Sequence, residues 1–466
     1  MAVDRRERVT LRLCTTALGR AAGERNSSVG ESLDARLGST VGQLGARTCP
    51  QCAADVPYDE RFVMWCSACD WNVDPEGEAP ARGRFEAMQR RLAHRHGEQL
   101  HAELLAAPNA SAVTNRGVVA RLVAVCVHAL TAALAGAGTL LVVLGWSTLV
   151  QPIVGVILLL AAFVLRPRFP RLRHDGRVLR RADAPCLYAL VDEVAAALGT
   201  RGVDTVVVDA QFNASVADFG LRGRRTLHLG LGLWEVLDQQ ERVALLGHEL
   251  GHYANGDPRR ARLIGTALYS LHTWLYLLTP VRAVHLRRTA LEMVTDLLMD
   301  VPRWAVYGVT LLLERLTLRD AQRAEYLADR AAVRVGSAAA AAGLMDRLLI
   351  GESIAAALRT ESVRAQTRIG GVEPRAAAAG LWERIAERAA TVSEREYERL
   401  RRVGVLRGHS VDSTHPPTHL RRSLIGAGEP GSAAVVVGPE TADGIAAELA
   451  PARSAVAHAV IRDLAG

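Results

Sequence analysis

The sequence contains no lysine: all 56 of its basic residues are arginine, set among abundant alanine and glycine. That one-sidedness reads as the coding bias of a GC-rich genome and not as chemistry, so a net charge of +7 is no sufficient ground for a nucleic-acid partner. The first thirty residues hold no apolar run of signal-peptide length, and arginine and glutamate interrupt them throughout. Their make-up argues against a secretory signal, and with it against the oxidising compartments where cysteines pair as disulfides. A third absence is local. Leu122 to Leu165 contains no Asp, Glu, Lys or Arg, which excludes an ordinary solvated helix there.

The length, 466 residues, exceeds one ordinary hydrophobic core and leaves room for two or three units. The uncharged segment is about twice the roughly twenty residues that cross a bilayer once, and Gly145, Trp146, Ser147 and Thr148 lie near its middle. The economical reading is a transmembrane helical hairpin over 119–166; a buried hairpin in a soluble protein is the alternative. Arg116 and Arg121 flank its entrance, and Arg166, Arg168, Arg171 and Arg173 its exit. Arginine at both ends places those ends, and the domains attached to them, on the cytoplasmic side. The expected location is a cell membrane, with the lipid bilayer as a partner and more than one crossing. His128, inside the first span, reads as a helix-packed residue and not a functional one.

Of seven cysteines, four form two close pairs, Cys49 with Cys52 and Cys66 with Cys69, whereas Cys14, Cys126 and Cys186 are scattered. Each CxxC turn aims two thiolates at one ion, and the length between the pairs suits a β-hairpin, so residues 47–75 resemble a zinc ribbon. Four thiolates close a tetrahedral shell, which makes the ion a structural zinc; a rubredoxin-type iron is the alternative. Zinc ribbons often bind nucleic acid, yet Asp55, Asp59, Glu60 and Asp70 make this one acidic. No nucleic acid is expected, and the favoured partner of the ribbon is a protein. Residues 1–46 read as a mobile leader, and a helical stretch within 80–108 connects the ribbon to the membrane.

VDTVVVDAQFNASV (203–216) opens with β-branched residues and TLHLGLGL (226–233) alternates, so both read as strands joined by an arginine-rich turn. From Asp238 the pattern becomes helical. Asp238 with Glu241 three positions on has the form of a capping box, and Asn255, Gly256 and Pro258 are stop signals. Late on this helix come His248 and His252, four apart on one face and able to reach one ion. Glu249 points about 100° away from His248 and faces a water beside that ion instead. Zinc lowers a water's pKa towards neutrality, and a neighbouring carboxylate can take its proton and pass it to a leaving amine.

Such a site requires a third ligand. RAEYLADRAA (323–332) offers Glu325 and Asp329, again four apart. Glu325 would complete a His-His-Glu set, and Asp329 would accept the free ring N–H of His248; an ordinary amphipathic helix with solvated acids is the alternative. Two apolar stretches, 263–279 and 298–315, lie between the motifs and are short for spans, so crossing, re-entrant insertion and burial all stay open. Residues 370–402 read as exposed charged helices, and 426–466 as a Gly/Ala-rich tail with one helix.

HELGHYANGD, then EYLAD after an apolar interval, then STHPP at 413–417, resemble in that order the HtpX-like membrane metallopeptidases, the gluzincin family that also contains the CAAX prenyl proteases. FNASVADF and LHLGLGL resemble the segment before that family's zinc helix, and the likeness covers about 175–425. It implies an α+β fold, mainly helical and zincin-type with a small sheet, beside the hairpin and the ribbon. It further implies His248, His252 and Glu325 as ligands of a catalytic zinc, Glu249 as the catalytic base and Asp329 as the brace of a ligand histidine. Asn213 matches the start of the edge strand to which a protein or peptide substrate adds. His415 matches the histidine of a late His-Pro motif, placed near the site to steady an oxyanion, with a purely structural loop histidine as the alternative, and Arg421 matches the arginine a few residues on, read as substrate-binding. The expected total is two zincs, one catalytic and one structural.

The family usually has an unmistakable transmembrane pair between the zinc helix and the third ligand, and here that interval is more polar. Intramembrane proteases of the site-2 type also use HExxH, within a transmembrane helix and with an aspartate-glycine partner. Glu235, Asp238, Glu241 and Arg242 precede this motif, and no LDG occurs. The resulting expectation is a zinc endopeptidase with a cytosolic site, acting on membrane or membrane-proximal proteins in quality control. A non-catalytic membrane adaptor that uses the ribbon, and a membrane-tethered nucleic-acid binder, are the competing readings; an intact Glu249 argues against the adaptor.

Overall fold

The computed structural model describes residues 45–77, 84–106, 115–166, 177–219, 223–255, 257–279, 290–367, 374–407, 415–428 and 431–463. The leader up to residue 44 and Arg168, Arg171 and Arg173 lie outside them. Strands β1 (Gly45–Thr48) and β2 (Asp55–Tyr58) pair antiparallel, with Thr48 opposite Asp55. The hairpin therefore closes around the first CxxC turn, and not between the two turns as the spacing suggested. Each turn is a self-contained knuckle: Ala53 bonds back to Cys49 and Asp70 to Cys66, with Ala53 and Asp70 both left-handed at φ 60° and 58°.

Helix α1 (Arg84–Ala106) leads to α2 (Asn115–Leu144) and α3 (Val150–Leu165), which pack antiparallel across a turn at Gly145–Thr148. The two helices meet where neither has a side chain. A Cβ on Gly138 would lie 2.8 Å from the Gly155 carbonyl oxygen, and one on Gly155 would lie 2.8 Å from that of Gly138. Among the described residues, Gly117–Leu144 is the one helical stretch long and apolar enough to cross a membrane; Val150–Leu165 and Leu263–Leu278 are shorter.

The next section holds the sheet. Strands β3 (Arg177–Leu179), β4 (Thr205–Asp209), β5 (Ala214–Phe219) and β6 (Arg224–Gly230) lie in the order β3-β4-β6-β5, with α4 (Pro185–Ala197) between β3 and β4. Only β4 and β6 run parallel, and β5 is an edge. The apolar run at 226–233 is only partly strand, because Leu231–Trp234 turn into a short helix, α5. Gly230 permits this: a Cβ there would sit 2.2 Å from the Gln211 carbonyl and 2.4 Å from that of Asn213.

Helix α6 (Gln239–Ala254) starts on a complete capping box, the Glu241 N–H donating to Asp238 at 2.6 Å and the Asp238 N–H to Glu241 at 2.9 Å. Helices α7 (Asp257–Leu278) and α8 (Ala290–Gly336) follow. The two short apolar stretches are thus parts of longer helices. In particular, 298–315 belongs to the same 47-residue helix as Glu325, with Pro302 inside it; that helix is ~70 Å long at 1.5 Å per residue. Ala124, Val127, Ala267, Leu271, Trp274 and Leu313 join α2, α7 and α8 in one apolar cluster, and the Trp274 indole N–H donates to the last carbonyl of α3 at 3.0 Å. His128 Nε2 lies 3.2 Å from the Thr266 hydroxyl, a helix-to-helix contact. Around this bundle Leu140, Val143, Ile157, Leu160, Phe163, Leu298, Val301 and Trp304 are exposed, an unusually large apolar surface.

Helices α9 (Ala338–Leu348), α10 (Gly351–Gln366), α11 (Pro374–Ala378), α12 (Leu381–Ala390), α13 (Glu394–Arg407), α14 (Thr418–Gly426) and α15 (Pro439–Asp463) complete the chain. Two expectations fail here. The stretch 370–402 is not an exposed charged face: Leu381, Trp382, Ile385 and Ala389 of α12 are buried in the main core, and Arg395, Arg399 and Arg402 of α13 face the ribbon. Nor is 426–466 a mere tail. Ile445, Leu449, Ala452, Val456 and Val460 recur at helical spacing and enter the same core, while Glu448 accepts the first-turn N–H groups of Cys186 and Leu187 at the start of α4.

Candidate active site

The distance between the two site helices is set by small residues. Gly247 and Gly251, four apart on α6, face Ala328, Ala331 and Ala332 of α8; a Cβ on Gly251 would meet the Ala331 Cβ at 2.7 Å, and one on Gly247 the Ala332 Cα at 3.1 Å. The backbones can therefore approach until His248 and His252 on one helix meet Glu325 on the other. His248 Nε2 lies 3.4 Å from Glu325 Oε2, and His252 Nε2 lies 3.6 Å from Glu325 Oε1. One donor atom from each of the three falls within 4.8 Å of the others.

The chemistry of this set fits a metal ion. Glu325 Oε2 is buried with only long ion-pair contacts, His415 Nε2 at 3.3 Å, His248 Nε2 at 3.4 Å and Arg421 at 3.6 Å, and no well-formed hydrogen bond among the described residues, an arrangement that a cation drawn in among these donors would improve. In the metal-free chain, burial works against a charge on His248, but its bonds to Asp329 and Glu325 outweigh that and raise it to about 10. Burial likewise opposes a charge on Glu325, yet His248 and Arg421 hold it down at about 2. Glu249 is 7% exposed, and burial pushes its carboxyl above the usual range while His248 and His252 pull the other way.

A second layer orients the first. Asp329 Oδ1 is 3.0 Å from His248 Nδ1, which leaves Nε2 for the shared donor cluster. Arg421 donates to both oxygens of Asp329, at 2.8 and 2.6 Å. His415 Nε2 stands 3.3 Å from Glu325 Oε2, with its ring a quarter exposed at the mouth of the site. The structure thus gathers His248, Glu249, His252, Glu325, Asp329, His415 and Arg421. The substrate-binding expectation for Arg421 is corrected: it is 2% exposed, and its guanidinium is engaged by Asp329. Asn213 is exposed immediately before edge strand β5, its carbonyl accepting the Gly230 N–H at 3.0 Å. In the sequence this seam shows only as the spacing of four between Gly247 and Gly251, which by itself does not point to a partner helix.

In the ribbon, Cys49 and Cys69 sulfurs are 3.7 Å apart and those of Cys52 and Cys66 3.6 Å, all four within 4.8 Å of one another. Burial opposes ionisation of Cys66, but the N–H groups of Ala68 and Cys69 bring it down to about 7. For Cys69 the Trp71 N–H acts in the same sense, yet burial and the three neighbouring thiols push it up to about 12. Four sulfurs this close ionise together only around a cation.

The sequence model of Peptidase family M48 matches residues 182–425, just over half of the chain. No curated protein and no solved structure matches the chain. The matched span runs from the approach to α4 into α14, and so contains all seven gathered residues together with the seam that brings them into contact. The chain belongs to peptidase family M48, a family of metallopeptidases.

Proposed function

We propose that the protein is a zinc-dependent endopeptidase held at a membrane, with its site on the cytosolic side. The observation that carries this is the donor set of His248, His252 and Glu325 with the buried Glu249 beside it. His248, His252 and Glu325 would hold zinc, which when bound would supply a Lewis acid and lower the pKa of water towards neutrality. The Glu249 carboxylate accepts the proton of the attacking water and returns it to the leaving amine; its raised affinity for protons suits both transfers. Asp329, held by Arg421, fixes the Nδ1–H of His248 and with it the direction of Nε2. His415 donates to the oxygen of the polarised carbonyl. The substrate adds as an extended strand to β5, starting beside Asn213, where unpaired backbone groups lie next to α6.

The uncharged hairpin and the exposed apolar residues of α2, α3 and the first half of α8 support a membrane location, and arginines at the hairpin ends support a cytosolic site. Substrates would then be membrane or membrane-proximal proteins, as protein quality control requires. The four cysteines hold a second, structural zinc. A casein-like substrate incubated with the detergent-purified protein tests the reading: hydrolysis should occur with wild type and vanish in Glu249→Gln while zinc content stays the same. No hydrolysis by zinc-loaded wild type would favour the adaptor reading instead.

A further inference from the structure

The cysteine module is docked on the peptidase. Trp65 is 1% exposed and lies between Arg395 and Arg402 of α13, whose guanidinium carbons stand 4.9 and 5.0 Å from its ring. Arg395, Arg399 and Arg402 fall at helical spacing on one face, and each donates to a ribbon carbonyl: Arg395 to Trp65, Arg399 to Val73 at 2.8 Å and Arg402 to Ser67 at 2.8 Å. Arg402 also pairs with Asp70 at 2.6 Å, and Arg407 Nε with Asp74 at 2.7 Å. Backbone carbonyls and a left-handed Asp70 are features of the folded knuckle, so α13 recognises the ribbon only in its folded form.

The other end of the ribbon leads to the same place. Gly97 of α1 backs on Pro416 and Pro417, and a Cβ there would lie 3.0 Å from Pro417 Cδ. Tyr326, the fully buried neighbour of Glu325, donates its hydroxyl to the Gly97 carbonyl at 3.2 Å, and Leu100, Leu104, Tyr326 and Leu424 close one apolar cluster. The ribbon thus reaches the segment bearing His415 and Arg421 twice, through α13 before it and through α1 above it. Its own core, Cys49, Val56 and Cys66 with Trp71 and Met64 against them, is too small to fold such a module without metal.

We infer that the four-cysteine centre is a positioning element of the peptidase site. Metal in the ribbon keeps α13 and α1 in place, and through them His415 against Glu325 and Arg421 against Asp329. Loss of that metal loosens the site without removing any of its ligands. The effect on hydrolysis rests on the peptidase reading above; the effect on packing does not.

Full-length protein in detergent tests this with zinc stoichiometry, hydrogen exchange and steady-state kinetics. Cys52→Ser/Cys69→Ser should lose one zinc of two, exchange faster in α1 and α14, and show kcat reduced about tenfold to hundredfold, as when outer support of a metal site is removed, with a smaller change in KM. Asp74→Arg keeps all four cysteines and should lower kcat, and adding Arg407→Asp should restore it. Unchanged exchange and kcat after loss of the ribbon zinc would overturn the coupling. If wild type hydrolyses nothing, the peptidase reading fails, and hydrogen exchange alone decides whether the ribbon positions α14.

Discussion

Arg421 and Asp329 form a two-pronged ion pair, 2.8 and 2.6 Å, buried directly behind His248. Each holds the other in its charged form against the cost of burial, Arg421 shifted further up and Asp329 further down. Arg421→Met leaves Asp329 buried with only His248 opposite and is expected to cost about 3 kcal/mol. The double variant Arg421→Met/Asp329→Asn should cost less than the two single changes summed. Urea unfolding of the metal-free variants measures this; strict additivity would mean that the pair does not act as a unit.

Glu249→Gln keeps the shape of the side chain and removes the proton acceptor. Hydrolysis should fall by at least about a hundredfold, while the zinc bound at His248, His252 and Glu325 is retained. Melting temperature should hold or rise, because burial disfavours the Glu249 charge. Retained activity would assign the base to another residue.

Metal uptake should release a proton. His248 in the metal-free chain is raised to about 10 and so is protonated at pH 7, whereas Glu325, at about 2, is already ionised. Affinity at this site should therefore climb as pH rises towards 10, about tenfold per unit for that one proton. The sign for stability is the opposite one. A raised histidine stabilises the metal-free fold below its unfolded value and loses that contribution as pH rises through about 10. Calorimetric zinc titration in buffers of different ionisation enthalpy gives the proton count directly; a count of zero for the catalytic site contradicts the expectation.

Gly251→Val drives a branched side chain into Ala331, which even a single Cβ would meet at 2.7 Å. Overpacking of this kind costs about 1–3 kcal/mol, and here it also moves Glu325 away from the two histidines. Zinc affinity at that site should drop while the ribbon zinc stays. Gly265→Ala is the control: no atom of the described residues outside its own helical turn lies within 4 Å of its Cβ position, and alanine in a helix interior is favoured by up to ~1 kcal/mol. Thermal melts with and without chelator distinguish the two outcomes.

Features governed by a few consecutive residues were legible in the sequence. The capping box of α6, the shared face of His248 and His252, the knuckle form of each CxxC and the apolar hairpin all follow from helical spacing, turn geometry or local hydropathy. Where local pattern misled, a distant partner overruled it. Arg395, Arg399 and Arg402 of α13 looked solvated because their ribbon partners lie more than three hundred residues away in sequence. Arg421 looked available to substrate because nothing near it in sequence shows Asp329 waiting behind His248.

The sequence by itself determined which side chains share a helix face, where helices start and which segment avoids water, because these are consequences of backbone geometry and of the hydrophobic effect over short spans. Only the tertiary structure decided that α6 and α8 approach closely enough at a glycine and alanine seam to bring Glu325 to the histidines, that α15 closes the core, and that the ribbon leans on α13 and α1. Those outcomes depend on complementary surfaces meeting in space, and packing of that kind leaves no periodic mark on either partner alone.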